Sequence, residues 1–443
     1  MSDPGRESVA GTVAERAVFL KVSLRLLPFL FLLYVVNILD RVNLGFARLR
    51  MLGDLGLEGP DAENVYFLGF GIFYIGYILF EVPSNLILHR VGARVWIARI
   101  MVTWGVISAA TLFVRGEWSL YGLRFLLGVA EAGFFPGIIL YLSYWFPAGL
   151  RARAVALFMT ASPVAGLFGN PLSGAILQYL NGTAGLAGWQ WLFLVEGVPS
   201  VLLGVCVWFY LTDRPEQARW LTAAERGWLV ARLSGEAKRR EEHHGLSSWL
   251  SALADRRVWL LSALYFPAAV AANSFGASAP KIIEDSFSGE SLFTIGLLAA
   301  LPSLAAAVGM VVVGAHSDRT GERRGHVAGS ALLSAAGWAT AALAHDPWLV
   351  LLGLTLALAG VMSMLPPFWG LPTALLSGTG AAGGIALVNS VGNIGGFLGP
   401  IVFGRIKSAT GNSTGAMLAM TVTLVVGSVL TLCVRHNPTA EKE

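Results

Sequence analysis

Apolar runs of about 20 residues recur along the whole chain, separated by short polar loops. Each run is long enough to cross a bilayer as a helix. None alternates apolar and polar positions as a membrane β-strand would. The pattern predicts twelve transmembrane helices, at about 24–47, 65–89, 95–114, 118–143, 153–180, 189–211, 257–280, 291–314, 327–345, 348–376, 382–406 and 415–435. The long polar segment lies at 212–256 and contains "DRPEQARWLTAAERGWLVARLSGEAKRREEHH", which reads as short amphipathic helices followed by a charged linker. It divides the chain into a six-helix bundle at 1–211, a cytoplasmic linker at 212–256 and a second six-helix bundle at 257–443.

Composition agrees with a bilayer as solvent. The chain has 443 residues, 55% hydrophobic and only 13% charged, with mean hydropathy +0.65. A soluble chain would carry about 25% charge. Residues 1–22 are polar and mixed in charge, so no cleavable signal peptide is expected and the first apolar run is a retained helix. Cys206 and Cys433 sit in distant apolar runs, and the seven histidines show no ligand spacing. Neither a metal nor a cofactor is expected. The basic pI of about 9.1 reflects loop topology rather than nucleic-acid binding. Arg90, Arg94, Arg151, Arg153, Arg319, Arg323 and Arg324 fall on one side with the central segment. Asp54, Glu58, Asp61, Glu63, Glu284, Asp285 and Glu290 fall on the other. By the positive-inside rule both termini are cytoplasmic in a multi-pass inner-membrane protein. Arg405 and Lys407 go against the rule.

An internal repeat adds to this. "NLILHRVGARV" (85–95) and "GAHSDRTGERR" (314–324) each follow the second helix of their half, and both carry a basic residue, a spacer and a glycine. Two related six-helix halves are a common build of alternating-access transporters. The second copy resembles the signature loop of the major facilitator superfamily, with Gly314, Asp318, Arg319, Gly321, Arg323 and Arg324 filling it. The first copy departs, with Asn85 for the glycine and His89 for the aspartate. A gating ion pair is therefore expected in the second half more than in the first. "DRVNLGFA", "FYIGYILFEVPSNLILHRVGAR", "RFLLGVAEAGFFPGIILYLSYWFP", "DRPEQARWLTAAER" and "GIALVNSVGNIGGFLGPIVFG" together resemble the anion:cation symporter branch. That branch includes bacterial carriers for tartrate, phthalate, hydroxyphenylacetate and sugar acids. Gln190 stands where this branch usually has arginine.

Four ionisable residues fall deep in predicted spans: Asp40 and Arg41 in the first, Arg124 and Glu131 in the fourth. Each costs about 2.5–3.5 kcal/mol on insertion scales, which suggests use. The plain alternative is a set of salt bridges joining two helices. Arg124 and Glu131 share a face, about 10 Å apart along the axis. Asp40 and Arg41 point about 100° apart. The expected arrangement puts Arg41 in the cavity as the fork for a carboxylate, with Asp40 facing Arg124. Asp40 and Glu131 then carry the coupling protons, and protonating both leaves two arginines to attract an anion. The resemblance implies the same four residues.

Asn43, Tyr74 and Ser162, the last beside Pro163 at an expected helix break, are further substrate-binding candidates. Asn273, Trp369, Thr373, Asn389 and Asn393 are candidates for the C-terminal half of the pocket, a region the resemblance also implies. Packing explains each of these about as well. Glu81 and Glu196 read as structural, pairing with loop arginines. Phe70, Phe73 and Trp369 favour an aromatic acid, whereas Tyr74, Asn273, Thr373, Asn389 and Asn393 favour a hydroxy acid. The expectation is a monomeric proton symporter for a small carboxylate, its partners being that acid, protons and the lipid bilayer. An efflux antiporter and an organic-acid uniporter are the rivals. A membrane enzyme lacks a nucleophile, metal or cofactor motif, and a transporter-like sensor lacks a visible output domain.

Overall fold

The computed structural model describes residues 4–241, 253–375 and 380–433, and these form helices with no strand among them. The helices are α1 (Pro4–Asp54), α2 (Gly59–Val91), α3 (Ala93–Ala110), α4 (Glu117–Glu131), α5 (Phe134–Ser143), α6 (Ala148–Met159), α7 (Ala161–Tyr179), α8 (Gly188–Tyr210) and α9 (Ala223–Glu241). They continue as α10 (Arg256–Ser286), α11 (Leu292–Thr320), α12 (Arg324–Leu343), α13 (Pro347–Leu375), α14 (Gly380–Thr410) and α15 (Thr414–Cys433). Among the described residues, eleven segments are long and apolar enough to cross a membrane. The ninth expected span, α12, is not among them. Its alanine, glycine and serine side chains lower its hydropathy and let it lie against α13 backbone to backbone.

Two expected spans are interrupted. The fourth is α4 plus α5, broken at Ala132 and at Gly133, whose φ of +87° favours glycine. Ser84 donates to the freed Ala132 carbonyl at 2.6 Å and accepts from Trp96 Nε1 at 2.9 Å. The break leaves Glu131 as the last residue of α4. The fifth span is α6 plus α7, meeting at Thr160, two residues before Ser162.

Helices α1–α8 pack into one half and α10–α15 into the other. The seams are α7 on α11, α2 on α14 and α1 on α10. At the first seam a Cβ on Gly174 or Gly296 would collide with the facing backbone, so only glycine allows this approach. Asn170 Nδ2 donates across it to Ala299 O at 2.7 Å. On the face opposite the termini the halves are tied by Arg50–Glu284 at 2.8 Å and by Lys407–Glu63 at 3.2 Å. Tyr66 also donates there to Ala277 O at 2.7 Å, and Glu63 further pairs with Arg48. Lys407, which goes against the charge rule, is thereby accounted for.

The start of the polar segment is docked, a departure from a free linker. Tyr141 donates to Thr212 O at 2.8 Å, and Trp220 stacks on Trp145 at 5.4 Å. Helix α9 lies on the start of α1 through Lys21–Glu225 at 2.9 Å and Phe19–Trp228 at 5.4 Å. The Lys21 ammonium and the Thr222 N–H hold the Glu225 carboxyl below its ordinary range. Residues 242–252 lie outside the described residues.

Candidate functional site

A cavity of about 270 Å³ opens between the halves. Of the expected pocket residues, Arg41, Tyr74, Ser162, Asn273, Trp369, Asn389 and Asn393 line it. Sequence reasoning missed Tyr34, Tyr77, Asn170 and Tyr265, which also line it. Helical spacing could have found two of them. Tyr34 is two turns before Arg41, and Tyr77 is one turn after Tyr74. Tyr265 and Trp369, with ring centroids 5.1 Å apart, form an aromatic wall.

Arg41 is paired inside the N-terminal half. Its Nε donates to Glu131 Oε1 at 3.1 Å, and Nη2 meets the same oxygen. The Glu131 side chain is 1% exposed but that of Arg41 is 21% exposed, so the arginine presents the accessible edge. The guanidinium also lies over Phe73 and Tyr77, at 5.3 and 5.5 Å. Glu131 Oε2 has no hydrogen-bond partner among the described residues.

Three expectations are corrected. Asp40 does not face Arg124. Its carboxylate accepts from Trp104 Nε1 at 2.6 Å, Ser108 at 2.7 Å and Ser200 at 2.5 Å, so it points between α3 and α8. Arg124 is buried but does not line the cavity. It sits behind Phe73, 5.1 Å from that ring, and donates weakly to Gly69 O at 3.4 Å. Arg41 and Arg124 thus share the Phe73 ring as a neighbour. Asn43 lies off the cavity beside Glu196, and neither of its amide atoms has a hydrogen-bond partner among the described residues. The Thr373 side chain lies outside the described residues.

Glu81 and Glu196 do not pair with loop arginines. Glu81 accepts from Asn389 Nδ2 at 3.0 Å and Asn393 Nδ2 at 3.3 Å, across the α2–α14 seam. Glu196 accepts from Ser173 at 2.7 Å. Tyr74 donates to Asn273 Oδ1, a second link between the halves at the cavity. Its ring occupies the space a Cβ on Gly396 would need. Gln190 caps the start of α8 by accepting from Ala187 N at 2.8 Å, and it donates to Leu112 O at 2.8 Å.

In the signature loop, Gly321 is the left-handed cap of α11, with φ +68°. Gly314 lies within α11, Asp318 and Arg319 are exposed in its last turn, and Arg324 opens α12. Asp318 makes no ion pair among the described residues, and Glu322 organises the loop instead. Glu322 accepts from Gly325 N at 2.5 Å and meets His326 Nδ1 at 2.7 Å. Burial opposes its charge, but these bonds hold its carboxyl below the ordinary range. The Arg323 guanidinium lies where a Cβ on Gly370 would stand, which seats the loop on α13. In the first half the His89 side chain lies outside the described residues. There Asp213 serves, accepting from Arg94 N at 2.8 Å and pairing with its Nε at 3.5 Å.

A cavity between two helical halves, with polar groups from both, is the geometry of alternating access. The family model described as Major Facilitator Superfamily matches residues 30–400 and, a second time, 264–443. This chain belongs to the Major Facilitator Superfamily. Two proteins of Agrobacterium vitis named for tartrate transport are 50% identical to it. One aligns over 96% of this chain and 93% of its own length, the other over 94% of each. A quinolone resistance transporter of Acinetobacter baumannii is 38% identical over 95% of both chains. Among solved structures, a bacterial homolog of the human lysosomal transporter Spinster superposes with TM-score 0.73. It is 17% identical, over 94% of this chain and 96% of that one. That likeness shows the superfamily fold, and the tartrate relatives stand with the anion:cation symporter resemblance of the sequence.

Proposed function

We propose that this superfamily transporter takes up a small organic acid anion by proton-coupled alternating access. Arg41 carries the reading, as a guanidinium at the cavity wall whose partner is a single buried carboxylate. While Glu131 is ionised, Arg41 is engaged. A proton on Glu131 weakens that pair and turns the arginine's donors to a substrate carboxylate. Release of the proton on the other side restores the pair and expels the acid. Asp40 is the second proton site. Asn273, Asn389, Asn393 and Tyr74 bind the remainder of the acid, which suits a hydroxylated chain such as tartrate, the solute in the names of the two 50%-identical relatives. No cofactor takes part. The termini lie in the cytoplasm of a cell with this protein in its inner membrane, and the monomer is the working unit.

Uptake into proteoliposomes of tartrate, galactonate, phthalate and hydroxyphenylacetate tests this, with and without an inward proton gradient. Accumulation of one acid only with the gradient is expected. Equilibration without accumulation would make the protein a uniporter. The aromatic wall and the quinolone-resistance relative favour efflux as the second reading. Extrusion of a quinolone with no acid uptake would select it.

A further inference from the structure

Behind the cavity, inside the N-terminal half, lies a second polar compartment between α1, α3, α7 and α8. Helices α1 and α8 run antiparallel there. Asp40 on α1 meets Ser200 on α8 at 2.5 Å. One turn further along each helix, Asn43 lies beside Glu196. Asp40 is 1% exposed, Glu196 3% and Asn43 1%. Ser173 closes the compartment from α7, and Trp104 and Ser108 close it from α3.

Its hydrogen bonding is incomplete in one place. Glu196 Oε2 and both amide atoms of Asn43 have no hydrogen-bond partner among the described residues. No ion pair reaches Asp40 or Glu196 among those residues. Arg41, next to Asp40 in sequence, is turned to Glu131. Glu131 is in electrostatic reach of Asp40, and Asp40 is in reach of Glu196. Two ionised carboxylates cannot share so dry a site without a positive charge. Neighbouring carboxylates solve this by sharing a proton.

We propose that Asp40 and Glu196 jointly hold one transported proton in this compartment, separate from the Arg41–Glu131 pair. Asp40 accepts three bonds from N–H or O–H groups, two at Oδ2 and one at Oδ1. Glu196 Oε2, without a hydrogen-bond partner among the described residues, can take the proton. The compartment is closed to the cavity here, so the proton exchanges only when α1 and α8 shift. That ties its uptake and release to the conformational cycle. The inference rests on the proton-coupled reading above and adds Glu196 to it.

Infrared difference spectroscopy on the full chain in nanodiscs tests the pair without any substrate. In sodium-free choline buffer, raising the pH should remove a carboxylic-acid carbonyl band from the wild type. Glu196→Gln should lack that band, and Asp40→Asn should displace it. Glu196→Asp, which keeps a carboxyl, should show the band at a shifted position and guards against a misfolded glutamine variant. An unaltered band in Glu196→Gln would overturn the proposal. Loss of the band when sodium replaces choline at fixed pH would overturn the proton as occupant. In proteoliposomes under a one-unit pH gradient, Glu196→Gln should lower the accumulation ratio about tenfold, the factor one coupled proton supplies. If the wild type moves no acid, the organic-acid reading fails while the spectra still decide on Glu196.

Discussion

The two halves share a fold but not a chemistry. The N-terminal half buries Asp40, Glu81, Arg124, Glu131 and Glu196 at membrane depth and half-buries Arg41. Among the described residues, the C-terminal half faces the cavity with neutral groups, chiefly Asn273, Tyr265, Trp369, Asn389 and Asn393. The difference teaches a division of labour. Under the proposed proton coupling, one half would change charge while the other would supply donors and shape that stay constant.

Breaking that division at its strongest point should have the largest effect. Arg41→Ala leaves Glu131 buried and unpaired, a loss of about 3–5 kcal/mol in such settings. Tartrate binding, measured by equilibrium dialysis, should vanish, and Arg41→Lys should weaken it roughly 10–100-fold by removing the fork. Glu131→Gln should sharpen the comparison. Wild-type binding is expected to tighten as pH falls, whereas the variant binds alike at both ends of the range, read as Kd against pH.

On the neutral side, the Asn389→Ala/Asn393→Ala pair strips Glu81 of its donors, at about 1–3 kcal/mol for a buried acceptor left unmatched. The expected signature is a lower melting temperature with the pH dependence of binding intact. Smaller still is Glu284→Ala on the closed face. An exposed pair of this kind is worth about 0.2–1 kcal/mol, so the rate of cysteine labelling from that face should rise no more than about fivefold. Last comes the loop carboxylate Glu322, held below its ordinary range. Its contribution is present above the ordinary glutamate value of about 4.3 and is lost as pH falls through the lower folded value. Glu322→Gln should remove that acid-side loss of loop protection in hydrogen exchange.

The bundle was legible because bilayer depth imposes long apolar runs, and even the interruption near Ser162 could be read from Pro163. Arg41 in the cavity was legible for a similar reason, since an isolated guanidinium needs water or an anion. The rotation of α1 about its own axis was not. Adjacent residues must diverge, but hydropathy did not say which neighbour Asp40 would meet, because α3 and α8 supply only tryptophan and serine there. Glu196 read as structural because a loop arginine was its expected partner, whereas it accepts from Ser173, which carries no charge. Asp213 was hidden by distance, as it serves a turn 119 residues earlier in the chain.

The docking of α9 on α1 has a consequence for biosynthesis. Each of the contacts described for that helix, Lys21–Glu225 and Phe19–Trp228 among them, lies within the first 241 residues. The charged half can therefore be fastened while the remaining stretch of about 200 residues is still being translated, an interval of roughly 10–40 s at bacterial to eukaryotic rates. During that interval the Arg41–Glu131 pair can already form, whereas Glu81 waits for Asn389 and Asn393 of the half still to come.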